Sequence, residues 1–89
     1  MISKELTIIN KLGLHARAAA KLVALTSKFD SELHIAKDGR EVNAKSIMGI
    51  MMLAASQHST VTVSADGEDE EQALNEVETL ILERFGEDE

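Results

Sequence analysis

The chain has no cysteine, no proline, no tryptophan and no tyrosine, and only two of its 89 residues are phenylalanine. Without cysteine neither a disulfide framework nor a thiolate-bound zinc can be built. So few aromatic rings leave little to stack on bases, which argues against nucleic-acid binding. No run reaches the roughly 20 apolar residues of a membrane-spanning helix. The opening Met1-Ile2-Ser3-Lys4-Glu5 has no apolar stretch of signal-peptide length, so a cytoplasmic protein without membrane insertion is expected. The histidines His15, His34 and His58 show neither helical nor zinc-ligand spacing, and no metal site or cofactor is expected.

Basic charge is scarce at one end. The net charge is −7, but residues 1–65 carry eight Lys/Arg against five Asp/Glu, whereas residues 66–89 carry a single Arg against eleven Asp/Glu. A mildly basic surface beside a strongly acidic segment suits an acidic protein partner at the basic end. With 44% hydrophobic residues the chain reads as one globular domain spanning 1–89.

One stretch organises the rest: Asn10-Lys11-Leu12-Gly13-Leu14-His15-Ala16-Arg17-Ala18-Ala19-Ala20-Lys21-Leu22-Val23. The alternation of Leu6-Thr7-Ile8-Ile9 is that of a half-buried strand with Leu6 and Ile8, and then Asn10, pointing inward. Gly13 supplies conformational freedom in the connection. From 16 to about 28 the composition is helical, with Ala19, Leu22, Val23 and Thr26 on one face and Arg17, Lys21 and Lys28 near the opposite one. His15 and Arg17 thus fall in the first turn of a helix, where unpaired N–H groups and a partial positive charge favour an anion. The same partial charge disfavours a protonated ring and leaves a neutral, nucleophilic imidazole. Arg17 stands close enough in sequence to hold a transferred phosphoryl group.

Further along, 32–36 alternates with Leu33 and Ile35 inward, Asp38-Gly39 reads as a two-residue hairpin turn, and 41–44 returns as a short strand. Ser46 fits the N-cap of a short helix over 47–55. Ile50 with Leu53 or Ala54 should pack on the sheet, leaving Met48 and one or both of Met51 and Met52 partly exposed as a flexible apolar patch. Gly49 within that helix points to a close approach there. Residues 59–65 form the clearest strand. A helical stripe of Ala73, Leu74, Val77, Leu80, Ile81 and Arg84 then runs from about 70 to 85, and 86–89 reads as a loose acidic tail. His34 and His58 are expected at the surface. The order β-α-β-β-α-β-α, with helices packed on a small antiparallel sheet, makes the fold class α+β.

Gly13-Leu14-His15-Ala16-Arg17 resembles the active-site signature of HPr, the histidine-containing phosphocarrier family of the bacterial phosphoenolpyruvate:sugar phosphotransferase system. Lys45-Ser46-Ile47-Met48-Gly49-Ile50-Met51 is similar to that family's second signature, and the likeness spans the whole chain. The resemblance implies an open-faced β-sandwich, four antiparallel strands in the order 1-4-2-3 under three helices. It implies a stoichiometric carrier rather than an enzyme. His15 takes a phosphoryl group at Nδ1 from phosphorylated enzyme I and passes it to an enzyme II A domain, with Arg17 steadying the group. Ser46 corresponds to the regulatory serine of an HPr kinase/phosphorylase. The implied partner face joins Ala16, Arg17, Ala20 and Lys21 to Ile47, Met48 and Met51, on a protein expected to be a monomer. A carrier of a nitrogen-type regulatory phosphorelay without sugar transport is the alternative within this fold.

Two departures stand out. Where the family usually has proline after the arginine, this chain has Ala18, which adds a backbone donor to the first turn. The basic residues of the family's first helix are only partly matched, since Ala24 and Ser27 are uncharged. An acyl-carrier reading fits poorly, because Ser46 follows Lys45 rather than an aspartate.

Overall fold

A computed structural model of the protein describes residues 1–88. The elements run β1 (Ile2–Thr7), α1 (Ala16–Thr26), β2 (Glu32–Lys37), β3 (Arg40–Asn43), α2 (Ile47–Met52), β4 (Thr60–Asp66) and α3 (Glu70–Leu82), followed by a 3₁₀ turn at Arg84–Gly86. The four strands form one antiparallel sheet in the order β1-β4-β2-β3. The three helices cover one face and leave the other open, the α+β architecture expected from the sequence.

Period-two patterning builds the sheet. Val61, Val63 and Ala65 of β4, Leu33 and Ile35 of β2, and Leu6 of β1 point to the covered face and are buried, while their neighbours face outward. Between β2 and β3, Asp38 and Gly39 both take positive φ (52° and 83°), as a type I′ turn requires. The helices contribute Ala18, Ala19 and Leu22, then Ile50, then Ala73, Leu74, Val77 and Ile81 to the same core. Helix α1 packs beside α2 and α3, and its small alanines at 18 and 19 are fully buried.

Several boundaries differ from the sequence reading. β1 starts at Ile2 and ends at Thr7. Beyond it backbone pairing with the 56–59 turn continues through Ile8, whose N–H donates to the Ser59 carbonyl at 2.9 Å, and the Gln57 amide donates to the Ile9 carbonyl at 3.2 Å. Helix α1 stops at Thr26, after which the Lys28 and Phe29 N–H groups turn back to the Leu25 and Thr26 carbonyls (3.1 and 3.2 Å), while the Thr26 hydroxyl donates inward to the Ala44 carbonyl (2.8 Å). In α2 it is Leu53, not Ala54, that is buried. The close approach at Gly49 is internal to the chain: a Cβ there would lie 3.3 Å from both Ser46 and Val42.

The largest difference is at the C-terminal end. Helix α3 ends at Leu82 rather than near 85, and Arg84, Phe85 and Gly86 all have positive φ (56°, 55° and 78°). This reverses the chain. Arg84, placed on the inward stripe by periodicity, is exposed, and Phe85 is fully buried in its stead. Left-handed backbone costs a non-glycine residue about 1–2 kcal/mol, which burial of a phenylalanine, worth up to about 3 kcal/mol, offsets. Nor is the segment after it loose at Gly86 and Glu87. The Gly86 and Glu87 N–H groups donate to the carbonyls of Glu83 and Arg84, and the Glu87 side chain is largely buried. Glu89 lies outside the described residues.

Candidate functional site

The approach to His15 is set by backbone constraints. Asn10 is fully buried, and the Gly13 N–H donates to its carbonyl at 3.1 Å. Gly13 has φ of +66°, and a Cβ on it would collide with the Ala55 carbonyl oxygen and lie 2.8 Å from Ser56 Cα. Conformation and space both demand glycine here. The Leu14 N–H then donates to that same Ala55 carbonyl at 2.9 Å, tying the residue before the histidine to the segment after α2.

His15 is the N-cap of α1, with extended backbone (φ −72°, ψ 177°), and its carbonyl accepts from Ala19 N–H at 2.8 Å. Its side chain does not cap the helix. The first-turn N–H groups therefore keep their capacity for an anion. Ala16, Arg17, Ala20 and Lys21 are exposed along the first two turns. Ala18, where the family's proline was expected, is buried against the core.

The imidazole itself is engaged. Nε2 of His15 meets a carboxylate oxygen of Glu87, and the other oxygen of that carboxylate accepts from Asn10 Nδ2 at 3.0 Å. Asn10 Nδ2 also donates to the Gly13 carbonyl at 2.8 Å. Both neighbours of that amide atom are pure acceptors, so it must be the NH₂ group. The side-chain amide oxygen Oδ1 of Asn10, buried, has no hydrogen-bond partner among the described residues. Burial works to raise the Glu87 carboxyl. The hydrogen bonds from Asn10 and His15, with the charges of His15 and Lys21, outweigh it and hold the group below its ordinary range.

An open cleft of about 630 Å³ adjoins the ring, lined by Lys11, Leu12, His15, Ala16 and Arg17 on the helix side and by Glu87 and Asp88 from the C-terminal segment. The fold thus brings His15 and Arg17 into one cleft, as their spacing suggested. The carboxylate opposite was missed, because 86–89 looks like solvated tail in the sequence. Lys21, expected on a partner face, has its ammonium on the Phe85 carbonyl (2.6 Å), where it clamps the C-terminal turn.

Ser46 caps α2 as its spacing suggested: its Oγ accepts from Gly49 N–H at 3.0 Å. Beyond it Ile47, Met48, Met51 and Met52 are exposed, Met48 by 73% and Met52 by 61%, and α2 packs beside α1. Ile47, Met48 and Met51 therefore share the helical side of the protein with Ala16 and Ala20. His34 is half-buried on the open sheet face, in register with Ser64 and Asn43, and His58 is exposed. Among the described residues no His, Asp or Glu cluster could hold a metal, and no helix is long and apolar enough to cross a membrane.

Fold and site together define a small α+β protein that presents a histidine at a helix N-terminus, beside an open cleft of mixed charge. Comparison with known proteins agrees. Residues 2–83 match the family described as the PTS HPr component phosphorylation site. The chain is 57% identical to the phosphocarrier protein HPr of Xylella fastidiosa strain Temecula1 over 88 residues, covering 99% of both chains. It is 55% identical to that of Cupriavidus necator over 89 residues, covering both completely. The crystal structure of HPr-C-His from Thermoanaerobacter tengcongensis superimposes with a TM-score of 0.96 at 49% identity, again over the whole of both chains. The chain belongs to the HPr family of phosphotransferase-system phosphocarriers.

Proposed function

We propose that His15 accepts a phosphoryl group from phosphorylated enzyme I and passes it to a histidine of an enzyme II A domain, so that the protein is a stoichiometric carrier without turnover of its own. The observation that carries this reading is the position of the imidazole, at the uncapped N-terminus of α1 and in one cleft with Arg17. There the first-turn N–H groups and the guanidinium supply donors for phosphoryl oxygens. The step needs no group beyond the two proteins. A ring nitrogen of His15 bonds to phosphorus as the donor's own nitrogen–phosphorus bond breaks.

The exposed Ala16, Arg17, Ala20 and Lys21 of α1 and Ile47, Met48 and Met51 of α2 form the docking face for these partners. Methionines adapt to surfaces of different shape, which suits a carrier that meets a donor and several acceptors in turn. Ser46, at the start of α2, is the regulatory site of an HPr kinase/phosphorylase. A phosphoryl group on its Oγ places nearly two negative charges beside that face, opposing an acidic enzyme I. Work within the cytoplasm as a monomer completes the reading, with 1–89 acting as one domain.

The test is phosphorylation by enzyme I and phosphoenolpyruvate, read by intact mass before and after an acid wash. One acid-labile phosphate is expected on the wild type and none on His15→Ala. Label surviving in the variant would move the site elsewhere. Presenting the phosphorylated protein separately to sugar-type and nitrogen-type A domains distinguishes the two branches.

A further inference from the structure

We infer that Glu87 is a positioning residue for His15: its carboxylate holds the Nε2 proton, leaves Nδ1 as the ring's free lone pair, and faces the positive charge the ring acquires when Nδ1 bonds to phosphorus. This rests on the phosphocarrier reading above and assigns a role to a segment that reads as tail in the sequence.

The first support is the contact itself. An ionised carboxylate can only accept hydrogen bonds, so the nitrogen facing it must carry the proton. In a neutral imidazole that leaves the lone pair on the other nitrogen, Nδ1. The second support is that the contact is built rather than incidental. Buried Phe85 and the Lys21 ammonium on its carbonyl fix the chain two residues before Glu87. Fully buried Asn10 holds the second carboxylate oxygen through an amide nitrogen that also donates to Gly13 in the approach to His15. Asn10 therefore couples the position of the carboxylate to that of the ring it faces.

The chemistry follows. The Nδ1 lone pair attacks the phosphorus of the donor's phosphohistidine. The donor's nitrogen–phosphorus bond breaks, and its electron pair returns to the donor ring. Starting from the neutral ring, no proton has to leave His15, because Nε2 keeps the one it has. The product is a phosphoimidazolium, a cation whose charge Glu87 faces directly. Buried carboxylates orient and stabilise imidazolium in the same way in hydrolytic triads. Retaining the Nε2 proton also leaves the ring a good leaving group, as onward transfer requires. The other charged groups around the ring are Lys11, Arg17 and Asp88 in the cleft wall, and Lys21 behind Glu87.

The experiment compares the wild type with Glu87→Gln, which keeps the shape and removes the charge, and with Glu83→Gln, which removes an equal charge from the end of α3 outside the cleft. Each is followed for its rate of phosphorylation by phospho-enzyme I, for the His15 Nε2–H resonance by nitrogen-15 NMR, and for thermal unfolding. The expected result is a protected Nε2–H signal in the wild type that Glu87→Gln loses, with a fall in rate of about tenfold. That is smaller than for a fully buried donor because the cleft is open. Glu83→Gln should keep both signal and rate, and all three proteins should unfold cooperatively. Glu87→Gln phosphorylated at the wild-type rate would overturn the inference and leave the phosphocarrier reading intact. A faster Glu87→Gln would overturn it in favour of a carboxylate that competes with phosphate. A wild type that takes no phosphate from an active cognate enzyme I would overturn the phosphocarrier reading itself.

Discussion

Glu87 closes onto the imidazole of His15 across 72 residues of chain, and it reaches there because Phe85, two residues earlier, is fully buried. A core phenylalanine and a cleft histidine are thereby linked through a segment of only three residues. The consequences can be measured separately.

Acid should break the link. The Glu87 carboxyl lies below its ordinary value in the folded protein. The stability it contributes is therefore fully present above the unfolded-state value of about 4.3 and is lost as the pH falls through the lower native value. Carbon-13 titration of the Glu87 carboxyl should show a midpoint below that of unfolded glutamate, moving upward in His15→Ala as one of its stabilising partners disappears. A midpoint unmoved by that substitution would mean the ring contributes nothing to the carboxylate.

Phe85→Ala should cost about 3–5 kcal/mol in urea unfolding, the range for truncating a buried phenylalanine. It removes the burial that offsets two left-handed residues. Lys21→Met should cost nearer 1 kcal/mol, the net worth of one hydrogen bond to a carbonyl. A small loss for Phe85→Ala would show that the C-terminal turn can repack without its anchor.

Gly13→Ala should destabilise by about 2 kcal/mol or more, combining left-handed backbone with a collision against Ala55 and Ser56. It should slow phosphorylation as well, since the Leu14 to Ala55 hydrogen bond positions His15. Full stability together with full activity would show that the loop has a second acceptable path.

Ser46 separates capping from charge. Ser46→Ala should lose about 1 kcal/mol of stability with the Gly49 cap, and leave the phosphorylation rate unchanged. Ser46→Asp keeps an acceptor at the N-cap and adds a negative charge, so its stability should stay near wild type while its rate with enzyme I falls. Equal rates for all three proteins would remove charge at this position from the account of partner docking.

Local periodicity made much of this protein legible without coordinates. Leu6, Leu33, Ile35, Val61 and Val63 alternate as buried strand residues must. The Asp38-Gly39 turn and the Ser46 cap follow from backbone preferences acting over a few residues. His15 and Arg17, two positions apart on a helix that starts just after the histidine, could hardly avoid sharing one helix end. The C-terminal segment was not legible. Arg84 lies at a helical interval from Ile81, so periodicity continued the helix. What ended it is the burial of Phe85 in a core contributed by other elements, a gain invisible to any local pattern.

The sequence by itself determined the α+β class, the inward residues of β1 and β2, the helix start at His15 and the absence of thiolate chemistry, because each depends on residue type and short-range spacing. Tertiary structure alone decided that Glu87 would face His15, that the Asn10 amide would hold the Glu87 carboxylate, and that Lys21 would clamp the turn rather than project freely. Those contacts join residues from opposite ends of the chain, and only packing around a common core brings such ends together.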